Sequence, residues 1–302
     1  MKKSRYLSAL LLLLCLLFAL VVLALCLGKY PVTALESLSI LSLWLFRRTQ
    51  TASAMTVNVV LGLRLPRILA AIFVGAALSV SGAAYQGIFK NPLVSPDFLG
   101  VSGGACIGAA LGILWGFTAG GLSLLAFAGG VLAVTLTVSL PGLVRSRSNI
   151  MLVLSGIIVS SLMSSLLGFL KYTADPETQL ASITYWTMGS FSYVSRSDLL
   201  TMVLLLTPPM VVLMLTAWWI DVLSMGEDEA RTLGANVRLV RAVAIICSTL
   251  LTSGSVCLCG TIGWVGLIVP HFSRMLVGPS NRRLMPFSCV LGAAFLLLVD
   301  TV

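Results

Sequence analysis

Nine apolar stretches recur along this chain of 302 residues, near 7–27, 65–88, 99–117, 120–140, 150–170, 199–219, 240–260, 262–278 and 284–302. A helix needs about 20 apolar residues to cross the hydrocarbon core of a bilayer. Inside that core, backbone N–H and C=O groups have no water to bond, so a spanning segment must satisfy them itself. The chain is therefore read as an all-α integral membrane protein, a polytopic helical bundle forming a single membrane domain over residues 1–302. Composition agrees, with 58% of residues hydrophobic and only 10% charged, far from a soluble domain.

The formal net charge of +9 does not mark a nucleic-acid protein, because the basic residues are scattered over short loops and form no stripe. Membrane topology explains them instead. With the N-terminus inside, Lys2, Lys3, Arg5, Lys90, Arg145, Arg147, Arg231, Arg238, Arg241, Arg274, Arg282 and Arg283 are cytoplasmic, leaving seven of the nineteen basic residues outside. The basic start and apolar run of residues 1–28 raise a signal peptide, but an apolar run of about 21 residues is long for one, so an uncleaved first span is expected. The seven cysteines all lie in apolar segments and read as small packing residues, with neither a disulfide framework nor a metal site.

The densest charge beyond the N-terminus falls in 226–241, where Glu227, Asp228, Glu229, Arg231, Arg238 and Arg241 crowd together. At about +2.5 to +3.5 kcal/mol for each Asp, Lys or Arg at the centre of a span, this run must sit in water. Leu223, Ala230, Leu233 and Val237 recur at helical spacing along one face. Gly234 offers a C-terminal stop and Asn236 a cap for a following helix. The expected structure is two short helices in water joined at a glycine, a docking element; a solvated loop is the alternative.

Elsewhere the chain carries local signals of packing and passage. An apolar patch over 34–46 is too short to cross and is expected on the outer surface. Pro66 suits a first helical turn, and Arg64 and Arg67 beside it are read from the residues alone as interfacial snorkelling cations. Gly104, Gly108, Gly112 and Gly116, spaced by four, predict close helix packing. Ser161, Ser164, Ser165 and Gly168 share one helix face, which would line a water-accessible path or bond to a neighbouring helix. The aromatics Tyr185, Trp186 and Tyr193 suit a membrane interface or a gate at the mouth. Pro270 is expected to interrupt a helix, and His271, the single histidine, to act as a polar cap.

Several motifs together resemble the FecCD-type permease subunits of the iron-siderophore, haem and cobalamin ABC importers, the family that includes the vitamin B12 permease. They are Leu63-Arg64-Leu65-Pro66-Arg67, Asn91-Pro92-Leu93 with 99–105, Trp186-Thr187-Met188-Gly189, Gly226-Glu227 with Ala230-Arg231 and Leu233-Gly234, and 263–271. The resemblance implies ten spans in each of two permease subunits, homo- or heterodimeric, two cytoplasmic ATPases and an extracytoplasmic binding protein, in the cell membrane. It implies that Gly226, Glu227, Glu229, Ala230, Arg231, Leu233 and Gly234 form an ATPase-coupling loop within 221–239. It further implies that Arg64 and Arg67 meet the binding protein, and that no cofactor is needed. In the family an outer arginine and a tenth span follow; here the chain stops at Asp300-Thr301-Val302, so nine of the ten spans are expected and the sequence is read as C-terminally incomplete.

No Gly-x-x-x-x-Gly-Lys-Ser/Thr phosphate loop occurs, so any ATP hydrolysis belongs to a partner subunit and this chain is a transport subunit rather than an enzyme. The expected cargo is an iron chelate, a ferric siderophore first, with haem or cobalamin as alternatives. An ion-coupled secondary transporter is the rival class. It would hold ionisable residues at mid-membrane, whereas Asp97 and Asp300 fall near span ends.

Overall fold

The computed structural model describes residues 3–49, 52–143 and 149–302. Lys2, Arg145 and Arg147 lie outside the described residues. Among the described residues every regular element is a helix or helical turn, in the order α1 (Lys3–Cys26), α2 (Ala34–Leu45), α3 (Ala54–Val57), a π-helical turn (Asn58–Arg64), α4 (Leu65–Ile88), a 3₁₀ turn (Pro96–Leu99), α5 (Val101–Leu114), α6 (Ala119–Leu143), α7 (Asn149–Thr173), α8 (Gln179–Met188), a 3₁₀ turn (Phe191–Tyr193), α9 (Asp198–Met225), α10 (Glu227–Thr232), α11 (Val237–Cys259), α12 (Val265–Val277) and α13 (Asn281–Thr301).

Seven helices among the described residues are long and apolar enough to cross a membrane. The expected spans 99–117 and 262–278 are instead the shorter helices α5 and α12, which begin only after Gly100 and Trp264 have turned the chain with positive φ angles of 83° and 69°. The second span is longer than expected, running from Ala54 to Ile88. Pro66 stands in the first turn of α4, as expected, but a π-helical turn precedes it in the same span. Lacking an N–H, Pro66 leaves the Gly62 carbonyl without its usual partner, and the turn before it widens so that the Leu65 N–H reaches Val60 O, five residues back.

α4 is the central rod, with nearly every side chain from Val74 to Ile88 buried. Its small residues permit this. A Cβ on Gly82 would lie 1.8 Å from the Gly266 carbonyl, and one on Gly75 would lie 2.3 Å from the Gly292 carbonyl. The Gly266 approach follows from Pro270, which sits inside α12 and gives that carbonyl no N–H four residues on. Pro270 thus leaves the helix continuous, and His271 is an exposed mid-helix residue, not a cap. Gln86 of α4 completes this seam, donating to Leu267 O at 3.1 Å and accepting from Arg274 at 2.8 Å.

The expected glycine face joins α5 to α6. A Cβ on Gly104 would meet Gly129 O at 2.3 Å and one on Gly108 would meet Leu125 O at 2.0 Å, while Gly116 has open space and serves a turn at φ 70°. Hydroxyls bind the helices in between: Ser81 donates to Ser248 O and Ser253 to Phe127 O, both at 3.2 Å. Such bonds contribute about 0.6 kcal/mol each in a membrane.

Candidate functional site at the two ends of the bundle

At one end of the bundle α9 leads into α10. The helix forms because Glu227, Asp228 and Glu229 fill its first turn and Arg231 its last, each charge opposite in sign to the end of the helix dipole where it stands and so stabilising it. Gly234, at φ 82°, ends it. Its N–H bonds to Arg231 O at 3.0 Å while Ala235 N–H bonds to Ala230 O at 2.9 Å, a left-handed closing turn that glycine adopts without penalty. Nothing lies within 4 Å of a Cβ built on Gly234, so glycine is there for its backbone angle and not for space. Asn236 then caps α11 through a 3.1 Å bond from Leu239 N–H.

Two expectations for this run change. It holds one short helix, and the second is the first turn of a full span, because the apolar pattern from Val237 onward continues without a break. Leu233 is not on the buried face: Leu223, Ala230 and Val237 are buried, but Leu233 is 53% exposed, because the turn at Gly234 rotates it away. Leu233 thus leaves an apolar side chain uncovered beside Gly234, just past the end of this charged helix.

Arg241 of α11 grips Glu227 at 2.5 Å, with Arg231 at 3.8 Å from the same carboxylate. The hydrogen bond from Arg241, with the nearby charges of Arg241, Arg231 and Lys90, holds the Glu227 carboxyl below the usual glutamate range. The Arg231 pairs are exposed and each worth well under about 1 kcal/mol. The Arg241 pair locks α10 to α11. Glu229 instead folds back, its carboxylate lying where a Cβ on Gly226 would be.

Sequence reasoning missed Asp221, in the last turns of α9. Its Oδ1 accepts from Asn281 N at 2.6 Å and Nδ2 at 2.8 Å, and its Oδ2 from Ser280 Oγ at 2.8 Å. A carboxylate near the C-terminus of its own helix opposes that helix's dipole, and this was the available signal that it serves another element.

The opposite end carries Arg64 and Arg67. Arg64 donates to the carbonyls of Leu25, Cys26 and Tyr30, acting as the cation at the C-terminus of α1. Arg67 bonds Asp300, Nε to Oδ2 at 2.8 Å and Nη2 to Oδ1 at 2.9 Å, and its side chain remains 45% exposed. A cavity of about 290 Å³ opens beside Asp300, lined also by Met188, Gly189, Phe191, Thr261 and Leu296. Thr261 donates to Thr187 O and Ser190 N–H to Cys259 O, which pins α8 over this end.

Between the ends, Ser161, Ser164, Ser165 and Gly168 lie on the uncovered face of α7. Ser165 bonds only the Ser161 carbonyl of its own helix, at 3.0 Å, and Gly168 has nothing within 4 Å of a built Cβ. The expectation that this stripe bonds a neighbouring helix is not met within the chain, because α7 turns its opposite side to α5 and α6.

A family model described as the FecCD transport family matches residues 15–302. The chain is 42% identical over 247 residues to the molybdate import system permease MolB of Haemophilus influenzae, covering 81% of this chain and 73% of that one. It is 38% identical over 293 residues to the hemin transport system permease HmuU of Yersinia pestis, covering 95% and 85%. A solved structure described as an inward-facing conformation of a metal-chelate type ABC transporter superposes with a TM-score of 0.87 at 36% identity, covering 98% of this chain and 90% of that one.

Proposed function

The chain belongs to the FecCD transport family, and we propose that, as the multi-pass membrane permease of an ABC importer, it passes an iron chelate into the cytoplasm. A ferric siderophore is the first cargo to test, with haem or cobalamin next. In this reading Gly226, Glu227, Glu229, Ala230, Arg231, Leu233 and Gly234 seat α10 on a cytoplasmic ATPase. Arg67 receives the extracytoplasmic binding protein, with Arg64 bracing the turn before it. The N-terminus lies in the cytoplasm. A second permease subunit covers the open face of α7 and completes a path along Ser161, Ser164, Ser165 and Gly168.

The observation that carries the reading is the charge-locked helix α10, held in water by Arg241 and presenting the exposed Leu233. With no phosphate loop of its own, the chain takes its energy from a partner. Closure of two ATPases would push α10, and the rigid pair α10–α11 would convert that push into a shift between inward- and outward-facing states. Hydroxyl and apolar groups along α7, with no basic residue between 150 and 170, suit a bulky chelate. The 42% identity to a molybdate permease makes that oxyanion the competing cargo.

The test is uptake into proteoliposomes holding this permease and its ATPase, with the binding protein outside. ATP-dependent accumulation of ferric siderophore is expected. Uptake that follows a proton or sodium gradient without the ATPase would overturn the class, and accumulation of molybdate but not chelate would overturn the cargo.

A further inference from the structure

We propose that Asp221 is a positioning residue that ties the ATPase-coupling helix to α13, and through α13 to the arginine at the opposite end of the bundle. This rests on the functional reading given above and adds the connection between its two ends.

Asp221 stands four residues before α9 ends at Met225, with α10 starting at Glu227. Its carboxylate takes three donors from the first two residues of the α13 start: Ser280 Oγ, Asn281 N and Asn281 Nδ2. Ser280 occupies the N-cap position, yet its hydroxyl makes no cap bond within α13. The cap is supplied by a different helix, the one that carries α10. A negative charge there matches the α13 dipole and opposes that of α9, so its place on α9 is not explained by the stability of α9.

α13 then runs unbroken to Thr301, about 30 Å at 1.5 Å per residue. Its last turn holds Asp300 in the two-bond grip of Arg67. Along its length it is pressed to α4, where Gly75 and Gly292 meet backbone to backbone. Near Asp221, a Cβ on Gly87 of α4 would lie 2.5 Å from Ile220 and 3.1 Å from Asn281 Nδ2, so α4, α9 and α13 meet at one joint. Movement of α9 and α10 must therefore drag the start of α13 or break three hydrogen bonds. An Arg67 engaged by the binding protein would be felt at α10 by the same route, and the coupling is reciprocal.

A residue that merely capped α13 would affect folding and nothing else. The complete transporter, in nanodiscs with its ATPase and binding protein, separates the two roles. Asp221→Ala is expected to keep ATPase co-purification and basal hydrolysis while binding-protein stimulation falls at least fivefold; Ser280→Ala, which removes one of the three bonds, should give a partial fall. Ser253→Ala, which removes the α11–α6 hydrogen bond to Phe127 O away from this joint, should keep full stimulation. Full stimulation in Asp221→Ala overturns the proposal, as does an equal loss in Ser253→Ala. If Asp221→Ala fails to insert, Ser280→Ala decides, and wild-type stimulation there overturns it. A wild-type complex that the binding protein does not stimulate overturns the functional reading and this inference with it.

Discussion

Arg67 and Asp300, 233 residues apart in sequence, share two parallel hydrogen bonds of 2.8 and 2.9 Å that close the last turn of α13 onto the first turn of α4. The fork-on-carboxylate geometry fixes the guanidinium in direction as well as place. With Arg67 45% exposed and Asp300 12%, the pair is worth up to about 1 kcal/mol, screened by salt. Asp300→Asn should therefore lower thermal stability only slightly. Arg67→Asp combined with Asp300→Arg should restore that stability yet weaken binding-protein affinity, most at low salt. Wild-type affinity in the swapped variant would remove Arg67 from the docking surface.

Glu227 is the carboxylate that locks α10 to α11, and its folded-state pKa lies below its ordinary value of 4.5. A depressed acid contributes stability that is fully present above its unfolded pKa and is lost as pH falls through the folded value. Association with the ATPase should be insensitive to this group between about pH 6 and 8 and should weaken only below the ordinary carboxylate range. Glu227→Gln should reduce co-purification of the ATPase at neutral pH. A loss centred near pH 6.5 would point to a different group.

Charge reversal at Arg231 is expected to weaken the same association while membrane insertion is retained. Gly234→Pro should do so more strongly, since proline holds φ near −65° where the chain needs 82°. Pull-down of the ATPase from solubilised membranes checks both, and full recovery with either variant would free α10 from a coupling role.

Gly82 and Gly263 make a matched pair of glycines. A Cβ on Gly82 meets a carbonyl at 1.8 Å, while one on Gly263 meets nothing within 4 Å. Gly82→Ala should lose about 1–3 kcal/mol to overpacking and Gly263→Ala much less, read as melting temperatures in detergent. Equal melting temperatures would contradict the α4–α12 seam.

Ser164→Phe places a ring on the open face of α7. Uptake should fall at least tenfold, with binding-protein stimulation of the ATPase preserved. Undiminished uptake would remove the stripe from the path.

The charged run was legible in the sequence because six ionised residues in 226–241 are costly in lipid whatever surrounds them, and Gly234 and Asn236 perform the local stop and cap their types suggest. The sequence misled at Leu233, whose spacing matched the buried face of a helix that in fact ends one residue earlier. It also misled at Pro270, which sits inside a continuous α12 because the neighbouring α4 packs against the carbonyl left without its N–H partner.

By itself, then, the sequence determined that the chain is a bundle of apolar helices interrupted by one charged run, because transfer free energy is a local sum over residues, and where short-range turns close, but not that 99–117 and 262–278 would form only the shorter helices α5 and α12. Only the tertiary structure decided that Arg64 is taken up by the end of α1, that Arg67 is held by Asp300, that Ser164 faces open space and that Asp221 caps α13. Those outcomes depend on which helix ends meet. A hydrogen bond between residues 60 or 233 positions apart leaves no periodic trace in either segment alone.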